Sequence, residues 1–347
     1  MANTDENELN SQVEAVADKQ RAIQSRQDRK DASSDKKEGK DQGKDQGKDQ
    51  GKEESKEAVQ TGGPEQPAPP LPSQHLVKPG IEASMELKPR FMAELYKGSG
   101  KLQGQAAIIT GGDSGIGRAV AVLFAREGAD VAIFYLNEHE DAEETKRCVE
   151  AEGQRCITVA GDVKDMAFCQ EAVDRVVAEF GRLDVLVNNA AFQEHAESLL
   201  DLSEERFDET MRTNIYGYFH MAKAALPYLK RGAAIVNTGS VTGLQGSGKL
   251  LDYSATKGAI HAFTMSLASN LLDQGIRVNA IAPGPVWTPL NPADQSPEKI
   301  AKFGQSTDMR RPAQPEELSP AYVFLASAAC SSYITGIVLP VTGSVGG

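Results

Sequence analysis

The apolar run Ala106-Ala107-Ile108-Ile109 passes directly into Thr110-Gly111-Gly112-Asp113-Ser114-Gly115-Ile116-Gly117, and this junction limits the possible folds more than any other stretch. Consecutive apolar residues leave no face for water, so they predict a strand buried on both sides. Across 118–128 the apolar residues Val120, Leu123 and Phe124 fall at helical spacing, which predicts a helix lying against a sheet. The glycines between them divide the work. Gly111 permits a tight turn, Gly115 lets a ligand approach the backbone, and Gly117 lets helix and strand pack closely. Free N–H groups and the dipole at the helix N-terminus then favour an anion. Strand, turn and helix together predict a dinucleotide site over Gly111, Asp113, Ser114, Gly115, Ile116 and Gly117.

The same alternation continues downstream. Apolar runs at 131–135, 155–160, 183–188, 233–238, 277–281 and 336–341 are separated by amphipathic stretches, including 140–152, 166–180, 204–229 and 253–272. This order predicts an α/β fold: a three-layer, doubly wound parallel sheet of Rossmann type with about seven strands in a single domain. Such sheets bind ligands at the carboxyl ends of their strands. Thr110, Asp162, Asn188, Ser240 and Pro283 all fall at such ends.

The first 75 residues differ in kind. They are rich in Gln, Asp, Lys, Glu, Ser and Pro, and Lys-Asp-Gln-Gly repeats three times from Lys40 to Gly51. A helix over 11–30 has only Val13, Val16 and Ile23 to bury. The segment is therefore predicted to be a disordered low-complexity tail, ending in a proline-rich linker at Pro64, Pro67, Pro69, Pro70 and Pro72. Residues 76–103 carry Leu87, Phe91, Met92, Leu95 and Tyr96, an apolar face that predicts an arm packed on the domain at 104–347.

Charge and composition exclude several classes. A net charge of −12 argues against a nucleic-acid partner. No apolar run approaches the ~18 residues a membrane helix needs. Residues 1–10 are polar, unlike a secretory signal. Cys148, Cys156, Cys169 and Cys330 lack paired spacing, which suits reduced thiols and a cytoplasmic protein. Five scattered histidines predict no metal site.

Tyr253 and Lys257 stand four residues apart, thirteen residues after Ser240. On a helix that spacing puts phenol and ammonium on one face. A free phenol titrates near ~10, and a fixed cation lowers that value into the range useful for acid–base work.

Together these residues resemble the short-chain dehydrogenase/reductase family. The resemblance rests on Thr-Gly-x-x-x-Gly-Ile-Gly at 110–117, Asn188-Asn189-Ala190-Ala191, Asn214, Ser240, Tyr253-x-x-x-Lys257 and Pro283-Gly284-Pro285-Val286-Trp287-Thr288, and it covers roughly 104–347. Gly-Gly-Asp-Ser-Gly-Ile-Gly-Arg and the 75–103 arm are similar to a branch that includes stress-associated oxidoreductases and glucose and ribitol dehydrogenase homologues. The resemblance implies hydride transfer between a nicotinamide cofactor, NAD or NADP, and a small alcohol, aldehyde, polyol or sugar. It implies that Tyr253 exchanges the proton, Ser240 binds the substrate oxygen, Lys257 lowers the tyrosine pKa and holds the ribose, and Asn214 supports a proton-relay water. It further implies that Asp162 and Val163 flank the adenine, that Asn189, Ala190 and Ala191 floor the cofactor site, and that Pro283, Gly284, Val286 and Thr288 close over the nicotinamide. A homotetramer or dimer built on 204–229 and 253–272 is implied too.

Some readings stay open. Asp162 suits either the adenine or a helix N-cap. Asn214 could be catalytic or merely kink its helix, and Trp287 suits either core or substrate mouth. Tyr135, Leu136 and Asn137 end the second strand without the acid that marks NAD or the arginine that marks NADP, so both cofactors are expected, with a lean to NAD. The segment 290–312 carries Asp294, Lys299, Lys302, Gln305 and Asp308, a polarity that suits a small hydroxylated substrate. A cofactor-binding sensor without turnover is the alternative.

Overall fold

A computed structural model describes residues 2–41 and 57–343. The apolar runs form seven strands: β1 (Ala106–Thr110), β2 (Asp130–Tyr135), β3 (Cys156–Ala160), β4 (Val185–Asn188), β5 (Ala234–Thr238), β6 (Arg277–Pro283) and β7 (Val338–Val341). All pairings are parallel, in the order β3-β2-β1-β4-β5-β6-β7. Strand order reverses between β1 and β4, so the connections leave toward opposite sides there and open a crevice. The helices are α1 (Ala2–Asp41), α2 (Gly115–Arg126), α3 (His139–Ala151), α4 (Met166–Phe180), α5 (Glu204–Met211), α6 (Gly217–Ala225), α7 (Thr242–Gln245), α8 (Leu251–Leu271), α9 (Pro297–Ile300), α10 (Pro315–Ala326) and α11 (Ala328–Ser331).

Both faces of the sheet are covered, which is why its strands read as unbroken apolar runs. Ala107 and Ile109 point to a core shared with Val120 and Phe124 of α2 and Tyr322 of α10. Ala106 and Ile108 point to the opposite core, with Val173, Met221 and Ala268. The expected single helix over 204–229 is instead α5, a π turn at Arg212–Tyr216, and α6. A π turn accommodates one extra residue and is common at functional sites. Here it contains Asn214.

The N-terminal region departs from the expected disorder. Over 10–33, α1 buries Val13, Ala17, Gln20, Ile23, Gln24 and Gln27. Three of these are amides, which a hydropathy reading counts as solvated. Gln24 and Gln27 can be buried because they are hydrogen-bonded, Gln27 donating to Asp31 Oδ1 at 2.9 Å. Gln24 donates to the carbonyls of Leu76 (2.8 Å) and Ala293 (2.9 Å) and accepts from the Lys78 N–H (2.9 Å). The proline-rich segment is docked too: Leu71 N–H donates to Ala301 O at 3.0 Å, and Leu71 and Leu76 pack with Met85, Trp287 and Ile300. Most of the Lys-Asp-Gln-Gly repeat, from Gln42 onward, lies outside the described residues. In the arm, Tyr96 and Leu87 pack inward, whereas Leu95 is 68% exposed, so the expected apolar face is only partly buried.

Candidate active site

The crevice at the switch point is a cavity of about 340 Å³. Every site residue expected from the sequence lines it except Gly117 and Asn214. Along it the glycine turn is pinned to the end of β4. Thr110 Oγ1 accepts from the N–H groups of Asn189 (2.9 Å) and Ala190 (3.0 Å), and Asn189 Nδ2 donates to the carbonyls of Thr110 and Gly111 at 3.1 Å. Gly117 lies behind the turn, where a Cβ would stand 1.9 Å from Gly111 O. A Cβ at Gly115 would stand 2.9 Å from Thr288 Cγ2, so the 283–288 segment closes closely over the turn.

In the same cleft Ser240, Tyr253 and Lys257 converge from the end of β5 and from α8. Each is less than a tenth exposed. Ser240 Oγ accepts from Thr242 N (3.1 Å) and Thr242 Oγ1 (3.0 Å), which leaves its own proton free to donate. The expected acidification of Tyr253 is absent in this state. Burial drives the phenol well above its ordinary range, outweighing the Ser240 hydrogen bond that lowers it. The Lys257 ammonium stands over the Tyr253 ring, 5.3 Å from its centroid, and donates to Thr238 O at 2.8 Å. Burial brings that ammonium down to about 7.

Asn214 is fully engaged elsewhere. Its Oδ1 accepts from Phe192 N (2.8 Å), while Nδ2 donates to Phe192 O and Thr256 Oγ1 at 3.0 Å. The side chain ties the loop after β4 to α8 and makes no hydrogen bond to Lys257. Asp162 does not cap α4. Asp165 does, accepting from Ala167 N, and Asp162 lines the cleft instead. Trp287 is fully buried and donates to Leu87 O at 2.9 Å, which places it in the core beneath the arm.

The polar reading of 290–312 also changes. Asp294 turns inward, 1% exposed, and accepts from His195 N (2.7 Å) and Gln193 Nε2 (2.5 Å). Lys299 pairs with Glu197. The cleft wall here is Leu290, Asn291, Gln295 and Phe303. Glu194, His195 and Asp294 meet in a buried cluster, with Lys78 Nζ 3.2 Å from Glu194.

Three residues escaped the sequence reading. Glu138, one position beyond the residues weighed at the end of β2, lines the cleft, its carboxyl raised by burial and by Asp113. His261, on α8 one turn past Lys257, accepts from Ser240 N–H at 3.4 Å, a signal present in the 253/257/261 spacing. Glu82 of the arm accepts from Gly115 N–H at 2.7 Å and pairs with Arg118, a relation across 33 residues that no local pattern announces.

A doubly wound parallel sheet with its crevice at the switch point defines a Rossmann-type α/β protein. Residues 111–345 match the family model described as enoyl-(acyl carrier protein) reductase. An uncharacterized oxidoreductase of Bacillus subtilis is 55% identical over 266 residues, covering 77% of this chain and 92% of that protein. A chloroplastic NADPH-dependent aldehyde reductase of Arabidopsis thaliana is 48% identical over 276 residues, covering 78% and 96%. A short chain dehydrogenase from Burkholderia cenocepacia, crystallised with NADP, superimposes with a TM-score of 0.66 at 34% identity, covering 70% of this chain and 98% of that one. The chain belongs to the short-chain dehydrogenase/reductase family and is an oxidoreductase of that family.

Proposed function

We propose that this protein uses NAD(P) to interconvert a small carbonyl compound and its alcohol, with Tyr253 as general acid and base. One observation carries the reading: the Ser240–Tyr253–Lys257 trio and the pinned glycine turn line one and the same cleft. The cleft suits a dinucleotide, because Gly115 presents bare backbone to it where a side chain would collide with Thr288, while Gly117, behind the turn, lets α2 pack against it. The bound cofactor supplies the two-electron chemistry. The chain's own residues then do the rest. Ser240 donates to the substrate oxygen, and Tyr253, held protonated by its burial, delivers the proton to that oxygen during reduction. Lys257 holds the ribose side of the cofactor, Asp162 and Val163 the adenine side, and Val286 and Thr288 cover the nicotinamide. Asn214 acts as a positioning residue, fixing the loop at Phe192.

Among the described residues lining the cleft, Lys257 is the only cation, and the five-donor guanidinium of Arg118 is spent on Glu82, Asp113 O, Asp141 O and Thr145. With Asp113 and Glu138 at the adenosine end, a 2′-phosphate gains no partner there. Both cofactors are therefore accepted, with a lean to NAD. A kcat/KM preference above about a hundredfold either way contradicts this. The aldehyde reductase relative supports an aldehyde or small alcohol as substrate. No helix among the described residues is long and apolar enough to cross a membrane. We place the protein in the cytoplasm as a homo-oligomer, supported by Tyr216, Phe219 and Met265, about half-exposed near the middles of α5–α6 and α8. A monomer by light scattering overturns the assembly. Absorbance at 340 nm with NADH and NADPH against a panel of aldehydes and polyols tests the reaction. Absence of turnover and of cofactor binding rejects it.

A further inference from the structure

We infer that α1 forms the outer wall of the coenzyme site and retains the dinucleotide by docking across it. The inference rests on the proposed coenzyme reading of the cleft. It concerns a segment outside the matched family region, which begins at residue 111.

The geometry is that of a strap fixed at two ends. At one end Glu14 accepts from Asn137 Nδ2 at 2.9 Å, beside the end of β2 where the adenosine half belongs. At the other, Gln24 reaches Ala293 O and Asp31 Oδ2 meets His195 Nε2 at 2.7 Å, beside the substrate-side loop. Between these anchors Val16 and Gln20 line the same cleft as Ser240 and the glycine turn. Any ligand lying along the cleft must therefore pass under α1.

Docking is charge-matched along its length. Lys19, Arg26 and Lys30 run antiparallel to Glu209, Glu205 and Asp201, paired at 2.7, 2.6 and 3.2 Å. The Arg26 and Lys30 pairs are exposed and contribute little individually, whereas Lys19 meets the buried carboxylate of Glu209. A polar helix with so small an apolar face owes its order to docking rather than to itself. Such an element can lift to admit coenzyme and settle again over it, so coenzyme affinity is expected to depend on its docked fraction.

The test uses the full chain. Kd for NADH and NADPH is measured by fluorescence titration, and hydrogen exchange is followed over residues 10–33 with and without coenzyme. In the parent, saturating coenzyme is expected to slow exchange across α1. K19E/R26E/K30E is expected to lose that protection and raise coenzyme Kd at least about tenfold, with any loss of helical ellipticity no greater than the share of α1. R26E alone is expected to weaken binding, and R26E/E205R to recover part of it. Gln20→Ala leaves the ion pairs intact and is expected to raise Kd about threefold with α1 still protected. A triple variant that binds coenzyme as tightly as the parent while α1 exchanges freely overturns the inference, and so does tighter binding, which makes α1 an obstruction. Unchanged α1 protection in the triple variant overturns the charge-matched docking. A parent that binds no dinucleotide rejects the coenzyme reading itself, and that result stands apart because no variant is needed to see it.

Discussion

The carboxylate of Glu82 accepts a hydrogen bond from the backbone N–H of Gly115 at 2.7 Å, so the arm occupies the first amide of α2. Ser114 makes no side-chain cap there, and Glu82 supplies the missing acceptor. Its other oxygen pairs with Arg118, which also binds Asp141 and Thr145. The arm thereby fixes the turn that the cofactor is proposed to use.

Burial raises the Glu82 carboxyl from 4.5 to about 7, against the lowering effect of Arg118. A raised carboxyl keeps its proton longer in the fold than in the unfolded chain. Its stabilising contribution is complete below about 4.5 and is lost as pH rises through about 7. Glu82→Gln is therefore expected to flatten the fall of Tm between pH 5 and 8. Asp113, Glu138 and Glu194 titrate in the same sense and keep some slope. Melts followed by circular dichroism read this directly. A difference in Tm that is constant with pH would count against it.

Tyr253→Phe removes the proton and little else, since the ring stays packed beside Lys257. Loss of a positioned acid costs about 10²–10⁴ in rate. The variant is expected to lose that much kcat while its coenzyme Kd stays within about threefold, and Ser240→Ala to lose about 10²–10³. Steady-state rates at 340 nm and coenzyme titration separate the two quantities. Near-normal turnover by the phenylalanine variant would remove Tyr253 from its role.

These two predictions differ in how far they could be read from the chain. The strands, the glycine turn and the Ser240–Tyr253–Lys257 spacing are local patterns. Buried runs such as 106–109 and an i, i+4 pair on a helix survive folding unchanged. Glu82 with Gly115, and Asp294 with His195, are brought together only by topology, across 33 and 99 residues. The protonation of Tyr253 departs from its spacing for a related reason. Spacing puts Lys257 near the phenol, but the desolvation that dominates depends on everything packed around both. In α1 the signal is Val13, Ala17, Gln20, Gln24 and Gln27 along one face, yet an amide such as Gln24 scores as solvated until its carbonyl partners are known.

Lys257 is a charge held in the interior. Burial lowers it from 10.5 to about 7. Below about pH 7 both states hold the proton, and the fold bears the full cost of burying it. Between about 7 and 10.5 the unfolded chain holds more protons, so stability from this group rises with pH. Lys257→Met is expected to melt higher than the parent at pH 6, with the advantage shrinking toward pH 9, while turnover is lost. A variant less stable than the parent at every pH would show that the ammonium's hydrogen bond to Thr238 O outweighs its burial.

His195 ties α1 to the loop that carries Asp294 and sets the pH limit of that tie. Its Nδ1 lies 2.8 Å from Asp294 Oδ1 and its Nε2 2.7 Å from Asp31 Oδ2, so both nitrogens face carboxylates and both donate when the ring is charged. Burial alone lowers its pKa, but Asp294 and Asp31 outweigh that and raise it from 6.5 to about 9. Glu194 stands 3.5 Å away, while Lys78 lies against Glu194 and opposes the charge. A raised histidine contributes its full stability below about 6.5 and loses it as pH climbs through about 9. Hydrogen exchange near residue 31, corrected for its intrinsic pH dependence, is therefore expected to lose protection between pH 8 and 10. His195→Gln, which keeps hydrogen-bond donors without the charge, is expected to hold that region at a weaker but pH-independent level over the same range. If the parent's protection also stays level through pH 10, the ring does not carry the charge that joins Asp31 to Asp294.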